Sequence, residues 1–152
     1  MKNNYIIIGD SIAYVIGDYE FVGWISLFKK KLLQADNMKE CSNYAHLAGF
    51  PWATSKDIST KIDRIINTYR LTETNNIVII SIGINDSQMY KNETKVALYE
   101  YTENIKYIIN AINKYNCDAI FLGLTRINSI NNLLNWKPNK YYDNKYISMI
   151  TN

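Results

Sequence analysis

Tyr5-Ile6-Ile7-Ile8-Gly9-Asp10-Ser11-Ile12, residues 5–12, decides the fold. Its first four residues form a short apolar run with no polar alternation. Such a run reads as a strand buried on both faces, as in a parallel sheet covered on each side. Gly9 ends the run, and Asp10-Ser11 mark the passage from strand into helix.

Working outward, short β-like runs alternate with longer helical ones. Residues 21–35 carry Phe21, Ile25, Phe28 and Leu32 at helical spacing. Residues 41–47 predict a second strand. Residues 57–69 predict a helix with Ile58, Ile62, Ile65, Ile66 and Tyr69 on one stripe. Residues 77–82 are the clearest strand. Residues 96–115 predict a long helix with Leu98, Tyr101, Ile105, Ile108, Ile109 and Ile112 inward, and residues 119–124 a fourth strand. Apolar strands separated by helices predict an α/β protein, a three-layer α/β/α sandwich with a flavodoxin-like parallel sheet. Ligands of such sheets bind outside the carboxyl ends of the strands. That rule selects Gly9-Asp10-Ser11, the segment after Leu47, and Gly83-Ile84-Asn85-Asp86.

The 152 residues predict a single domain, 1–152, with no repeats or linker. A net charge of +3 is small and dispersed, which argues against nucleic acid as a partner. The one basic run, Lys29-Lys30-Lys31, reads as a solvated helix face. Cys41 and Cys117 are far apart and outside any CxxC pair, so reduced, buried thiols are expected. No apolar run approaches the roughly 18 residues of a membrane span. Met1-Lys2 leads almost directly into a strand, without a signal-peptide pattern, so a cytoplasmic location is expected. Ligand sets for zinc or iron are missing, and no metal or organic cofactor is expected.

A serine where strand passes into helix has an exposed hydroxyl and unsatisfied N–H groups beneath it. Acyl transfer needs that arrangement, because the attacked carbonyl oxygen becomes an oxyanion. Gly83 permits a turn, the Asn85 amide can donate to an oxyanion, and Asp86 can cap the next segment. Taken singly, the first segment is an ordinary helix cap and the second an ordinary strand-ending turn.

Together they resemble a known family. "IIIGDSIAYVIGD" (6–18) followed by "GWISLF" (23–28) resembles the first block of SGNH/GDSL-type serine hydrolases. "IVIISIGINDS" (77–87) resembles the block that supplies the family Asn. "TSKDISTKID" (54–63) is similar to the second block, and "IFLGLTRIN" (120–128), Trp136 and "NKYYDNKYI" (139–147) to the stretch after the fourth strand. The resemblance implies an esterase or acylhydrolase of the SGNH hydrolase fold, with Ser11 as nucleophile and backbone oxyanion donor and Asn85 as side-chain donor. Gly9, Asp10, Gly83 and Asp86 would support them. The implied substrate is a small-molecule ester, with short-chain esters, acetylated sugars and lysophospholipids all open.

Two departures stand out. An ungapped match puts Trp52 where the family has its oxyanion Gly; a gapped match restores Gly49. Trp52 is the preferred donor, with an indole that would crowd the pocket and a backbone that loses access to positive φ. The second departure is the base. The family takes it from an Asp-x-x-His segment after a fifth strand, and this sequence is expected to stop in the helix before it, lacking the last strand and helix. Asp143-Asn144-Lys145-Tyr146 has Tyr where His would stand. The only histidine, His46, is a remote surrogate base and reads better as structural. A serine without a base is a weak nucleophile, so a poor esterase is expected. A truncated fragment, a pseudoenzyme serving as a binding or interaction module, and a protein completed by a partner chain all fit. The fourth strand becomes an exposed apolar edge, which invites self-association. Trp24, Trp52 and Trp136 read as core or surface aromatics in a tyrosine-rich chain.

Overall fold

A computed structural model describes residues 2–14, 23–35, 42–127 and 140–151. The elements run β1 (Lys2–Gly9), α1 (Gly23–Ala35), β2 (Ser42–Gly49), α2 (Ser55–Ser59), α3 (Ile62–Tyr69), β3 (Asn75–Ser81), β4 (Gln88–Tyr90), β5 (Glu93–Thr94), α4 (Leu98–Lys114), β6 (Asp118–Phe121), β7 (Lys140–Tyr142) and α5 (Asn144–Thr151). The main sheet has the order β2-β1-β3-β6, with every pair parallel. β1 is central, and Ile6, Ile7 and Ile8 are fully buried. Burying each isoleucine contributes about 1.5–3 kcal/mol before entropy is counted.

Alternate residues of the strands feed two cores. Ile6, Ile8, Val78 and Ile80 pack against Ile58, Ile62 and Ile66 of α2 and α3 and Ile108 and Ile112 of α4. Ile7 and Ile79 face the other way, against Ala13 and Ile25, with Trp24 and Phe28 packed alongside. Helices on both faces make the three-layer α/β sandwich. The register pairs Gly9 with both Gly49 and Ser81, so three strands end flush at one edge.

Three details differ from the sequence reading. The helix expected over 57–69 is two, α2 and α3. Ser59 Oγ donates to the Lys56 carbonyl and Thr60 Oγ1 to that of Asp57, and such hydroxyls compete with the helical ladder. Leu98 and Ile109 of α4 face outward, 39% and 37% exposed. A small antiparallel sheet, β5-β4-β7, has no counterpart in the periodicity. Its hairpin turns at Lys91-Asn92, both at positive φ, in the two-residue pattern that matches strand twist. Asparagine tolerates that conformation, but the usual glycine signal is missing. Cys117 is a buried free thiol whose pKa burial raises; Cys41, Phe21 and Trp136 lie outside the described residues. Among the described residues no helix is long and apolar enough to cross a membrane, and no cluster of three His, Cys, Asp or Glu could hold a metal ion.

Candidate active site

The flush strand ends deliver three segments to one edge. After β1, Asp10 donates its N–H to the Ser81 carbonyl at 3.3 Å, and Tyr14 N–H closes a turn on the Asp10 carbonyl at 3.0 Å. Ser11 opens that turn and is half-buried. Asp10 Oδ1 accepts from the Ile12 N–H at 2.9 Å, which fixes the carboxylate beneath the turn. The described part of this expected helix is the single turn 11–14. Gly9 is required by close approach: a Cβ there would lie 2.4 Å from Ala13 Cβ and 2.7 Å from the Ser81 carbonyl oxygen.

After β2, Phe50 N–H donates to the Gly9 carbonyl at 2.8 Å, which ties this loop to the first. Gly49 lies under Tyr14, where a Cβ would come within 2.9 Å of the ring. Trp52 sits in the following turn at φ 69, half-exposed. The expectation that tryptophan excludes positive φ is therefore corrected: the left-handed conformation is adopted, at a cost of about 1–2 kcal/mol, and the indole is displayed outward. Thr54 then caps α2, its side chain and Asp57 hydrogen-bonding each other's backbone N–H groups.

After β3, Gly83 turns the chain at φ 124 and leads to Asn85 and Asp86, both buried. Asn85 Nδ2 donates to the Ala53 carbonyl at 3.0 Å and, weakly, to Asp10 Oδ2 at 3.5 Å. One carboxamide thus touches both other segments, at the residue before Ser11 and the residue after Trp52. Asp86 does not cap its own following segment. It accepts from the Ser55 N–H at 3.0 Å and from the Ser55 hydroxyl, and Asn104 of α4 donates to that hydroxyl at 3.0 Å. The carboxylate sits at the start of α2, where unsatisfied N–H groups welcome it.

Burial pushes the Asp86 carboxyl up, partly offset by the Ser55 hydrogen bonds. Burial also raises Asp10; the Ile12 N–H opposes this and the Asp86 charge adds to it. Tyr101 is pushed up to about 12 by burial and then by the Asp86 charge. Tyr142 of β7 pairs in register with Gln88, and burial followed by the Asp10 charge raises its hydroxyl. Ser55, Asn104 and Tyr142 escaped the sequence reading. Only the Thr54-x-x-Asp57 box hinted at the first, and the other two reach the site through tertiary packing alone.

His46 stands apart. It pairs with Ile6, three residues before the flush ends, which is about 10 Å of strand at the usual rise. Its ring stacks on Tyr69 with centroids 5.2 Å apart. Burial, then Lys29, lowers its basicity.

A parallel sheet with helices on both faces and polar turns at its flush strand ends is the α/β fold of the SGNH-hydrolase class. The family described as GDSL-like lipase/acylhydrolase matches residues 5–151, and the chain belongs to it. That is a family of carboxylic ester hydrolases. The chain is similar in structure to TesA, with a TM-score of 0.66 and 18% identity over 95% of this chain and 67% of that one. It is equally similar to EstA, a psychrotrophic esterase from Pseudoalteromonas sp. inhibited by monoethylphosphonate: TM-score 0.66, 18% identity, 97% of this chain and 67% of that one. AlinE4, an SGNH-hydrolase family esterase, gives 0.63 and 14%, covering 84% and 61%. At these identities the likeness shows the fold, and this chain spans about two thirds of the length of the first two. Sequence comparison with curated proteins finds no match.

Proposed function

We propose that this chain is a serine ester hydrolase acting through an acyl-enzyme at Ser11, with turnover limited because His46 stands back from the strand ends and cannot serve Ser11 as base. The observation that carries the reading is the Asn85 amide, which bridges Asp10 and Ala53 and draws the three strand-end segments together. In the reaction, Ser11 Oγ bonds the ester carbonyl carbon, its proton passes through water to the departing oxygen, and the C–O bond breaks to release the alcohol. Water then cleaves the acyl-enzyme and restores the hydroxyl. The oxyanion is held by the Ser11 N–H, by the Asn85 N–H that gives up its weak 3.5 Å contact with Asp10, and by a backbone donor from the second segment. Trp52 is the better donor than Gly49: it adjoins Ala53, which already receives the Asn85 amide, whereas Gly49 lies under Tyr14. Gly9, Asp10, Gly83 and Asp86 serve by shaping the turns.

A second reading, a non-catalytic binding module on the same fold, is favoured by the position of His46, stacked on Tyr69 and away from the strand ends. One experiment separates them. Release of nitrophenol from p-nitrophenyl acetate is measured for the wild type and Ser11→Ala, and each is treated with a phosphonate ester and weighed by mass spectrometry. The hydrolase reading expects faster release and a phosphonyl adduct on Ser11 in the wild type alone. Equal rates and no adduct leave the binding module. The β6 edge supports self-association as part of the same proposal.

A further inference from the structure

A cavity of about 540 Å³ opens between the outer edge of β2 and α3. β2 is an end strand of its sheet, and the cavity lies at that margin of the larger core, with Ala48 and Ile65 in its wall. The volume is in the range of small-molecule sites, about 300–1,000 Å³. Tyr14, Phe50, Tyr69 and Ile65 supply aromatic and apolar walls, Lys61 and Arg64 supply two cations, and none of the described residues lining it is acidic. Lys61 donates to the Asp57 carbonyl at 3.2 Å, lies 5.9 Å from the Phe50 ring centroid and feels the Asp57 charge. Arg64 is exposed and forms no ion pair with a described residue, so it is the freer cation.

The cavity shares a wall with the Ser11 turn. Tyr14 follows Ser11 by three residues in a turn closed on Asp10. Side chains three apart in a helical turn are neighbours, with Cβ atoms about 5–6 Å apart. Phe50, which also lines the cavity, is tied to Gly9 by its N–H. An apolar body entering from Ser11 therefore meets Tyr14 and Phe50, with the Lys61 ammonium 5.9 Å from the Phe50 ring.

We infer that this cavity takes the non-reacting end of an amphipathic ester, an aliphatic or aromatic body ending in a carboxylate or phosphate that Arg64 receives with help from Lys61. This rests on the hydrolase reading for its carbonyl end, and a binding measurement separates the two. Octyl phosphate, octyl glucoside and inorganic phosphate are titrated into the wild type, Ser11→Ala, Arg64→Gln and Lys61→Gln by calorimetry. Octyl phosphate is expected to bind about tenfold more tightly than either control, the size of one charge-assisted contact. Arg64→Gln removes most of that advantage, Lys61→Gln removes less, and Ser11→Ala leaves it intact. Both substituted cations are exposed, so the fold is not at stake. Octyl phosphate binding no tighter than octyl glucoside, or unchanged in Arg64→Gln, overturns the inference.

Rates on mono-4-nitrophenyl glutarate and 4-nitrophenyl butyrate, each corrected by Ser11→Ala, complete the test. The anionic ester should be preferred by the wild type and not by Arg64→Gln. Arg64-dependent binding without Ser11-dependent release removes the hydrolase reading and leaves the pocket. Ser11-dependent release at equal rates, without octyl phosphate binding, does the reverse.

Discussion

Replacing Gly9 with alanine would drive a methyl group into Ala13 and the Ser81 carbonyl, at 2.4 and 2.7 Å. Backbone on one side and a buried residue on the other leave little room to yield. The expected loss is about 1–3 kcal/mol, as for other overpacked cores, read from the midpoint of urea unfolding. An unchanged midpoint would mean that β1 and its turn shift freely. Activity poses a separate question at this scale, because Ser11 has no nearby histidine. Added imidazole should raise the Ser11-dependent release of nitrophenol, since a diffusible base replaces a missing one. The comparison is the imidazole response of wild type minus that of Ser11→Ala, and a zero difference rules out base limitation at Ser11. Ser11 and Asn85 were legible as candidates because strand ends and turn residues are local signals. The Trp52 backbone was not: propensity argues against positive φ, yet Trp52 adopts it.

At the scale of elements, the Asp86 carboxylate joins the end of β3 to α2 through Ser55 and, through Asn104, to α4. This junction was invisible in sequence, since its members lie 31 and 49 residues apart. Its pH dependence has a definite sign. Burial raises Asp86 and Asp10 above the ordinary carboxylate range, so the native state holds those protons to higher pH than the unfolded chain does. Their contribution to stability is complete below the unfolded pKa and is lost as pH rises through the folded pKa. Asp57 behaves oppositely: burial would raise it, but the Thr54 hydrogen bonds and the Lys61 and Lys95 charges hold it low. Its contribution is lost only as pH falls through that depressed value. Asp86→Asn keeps an acceptor for Ser55 but removes one titration. Denaturant unfolding at a series of pH values should show a shallower decline above the carboxylate range in this variant than in wild type. A decline of equal slope would mean that Asp86 titrates normally.

At the scale of the whole molecule, the apolar runs were enough to predict the layers, because strands buried on both faces lack alternation and their helices carry stripes. The β4–β5 hairpin and β7 are too short and polar to leave such a trace. The sheet order places β6 at one end, and its four residues are all exposed. Ile120 and Phe121 are 45% and 40% exposed. Beside them lies a groove of about 280 Å³ whose walls include Ile82, Ile105, Ile109 and Ile150. Among the described residues β6 pairs on one side only, and an apolar edge of that kind is a template for another strand. Antiparallel pairing of β6 with β6 of a second copy, centred between Ala119 and Ile120, sets Asp118 opposite Phe121 rather than opposite its own copy. No like charges meet, and eight strands form one continuous sheet. Sedimentation over a range of concentrations should therefore show reversible dimers in the wild type and monomers in Ile120→Lys, because a lysine at the centre of that seam faces Ala119 and meets no opposite charge across it. The β6 edge lies far in the sheet from β2 and its cavity, so nitrophenol release and octyl phosphate binding should be the same in both proteins. A wild type that stays monomeric at every concentration would show that the exposed edge does not recruit a second copy.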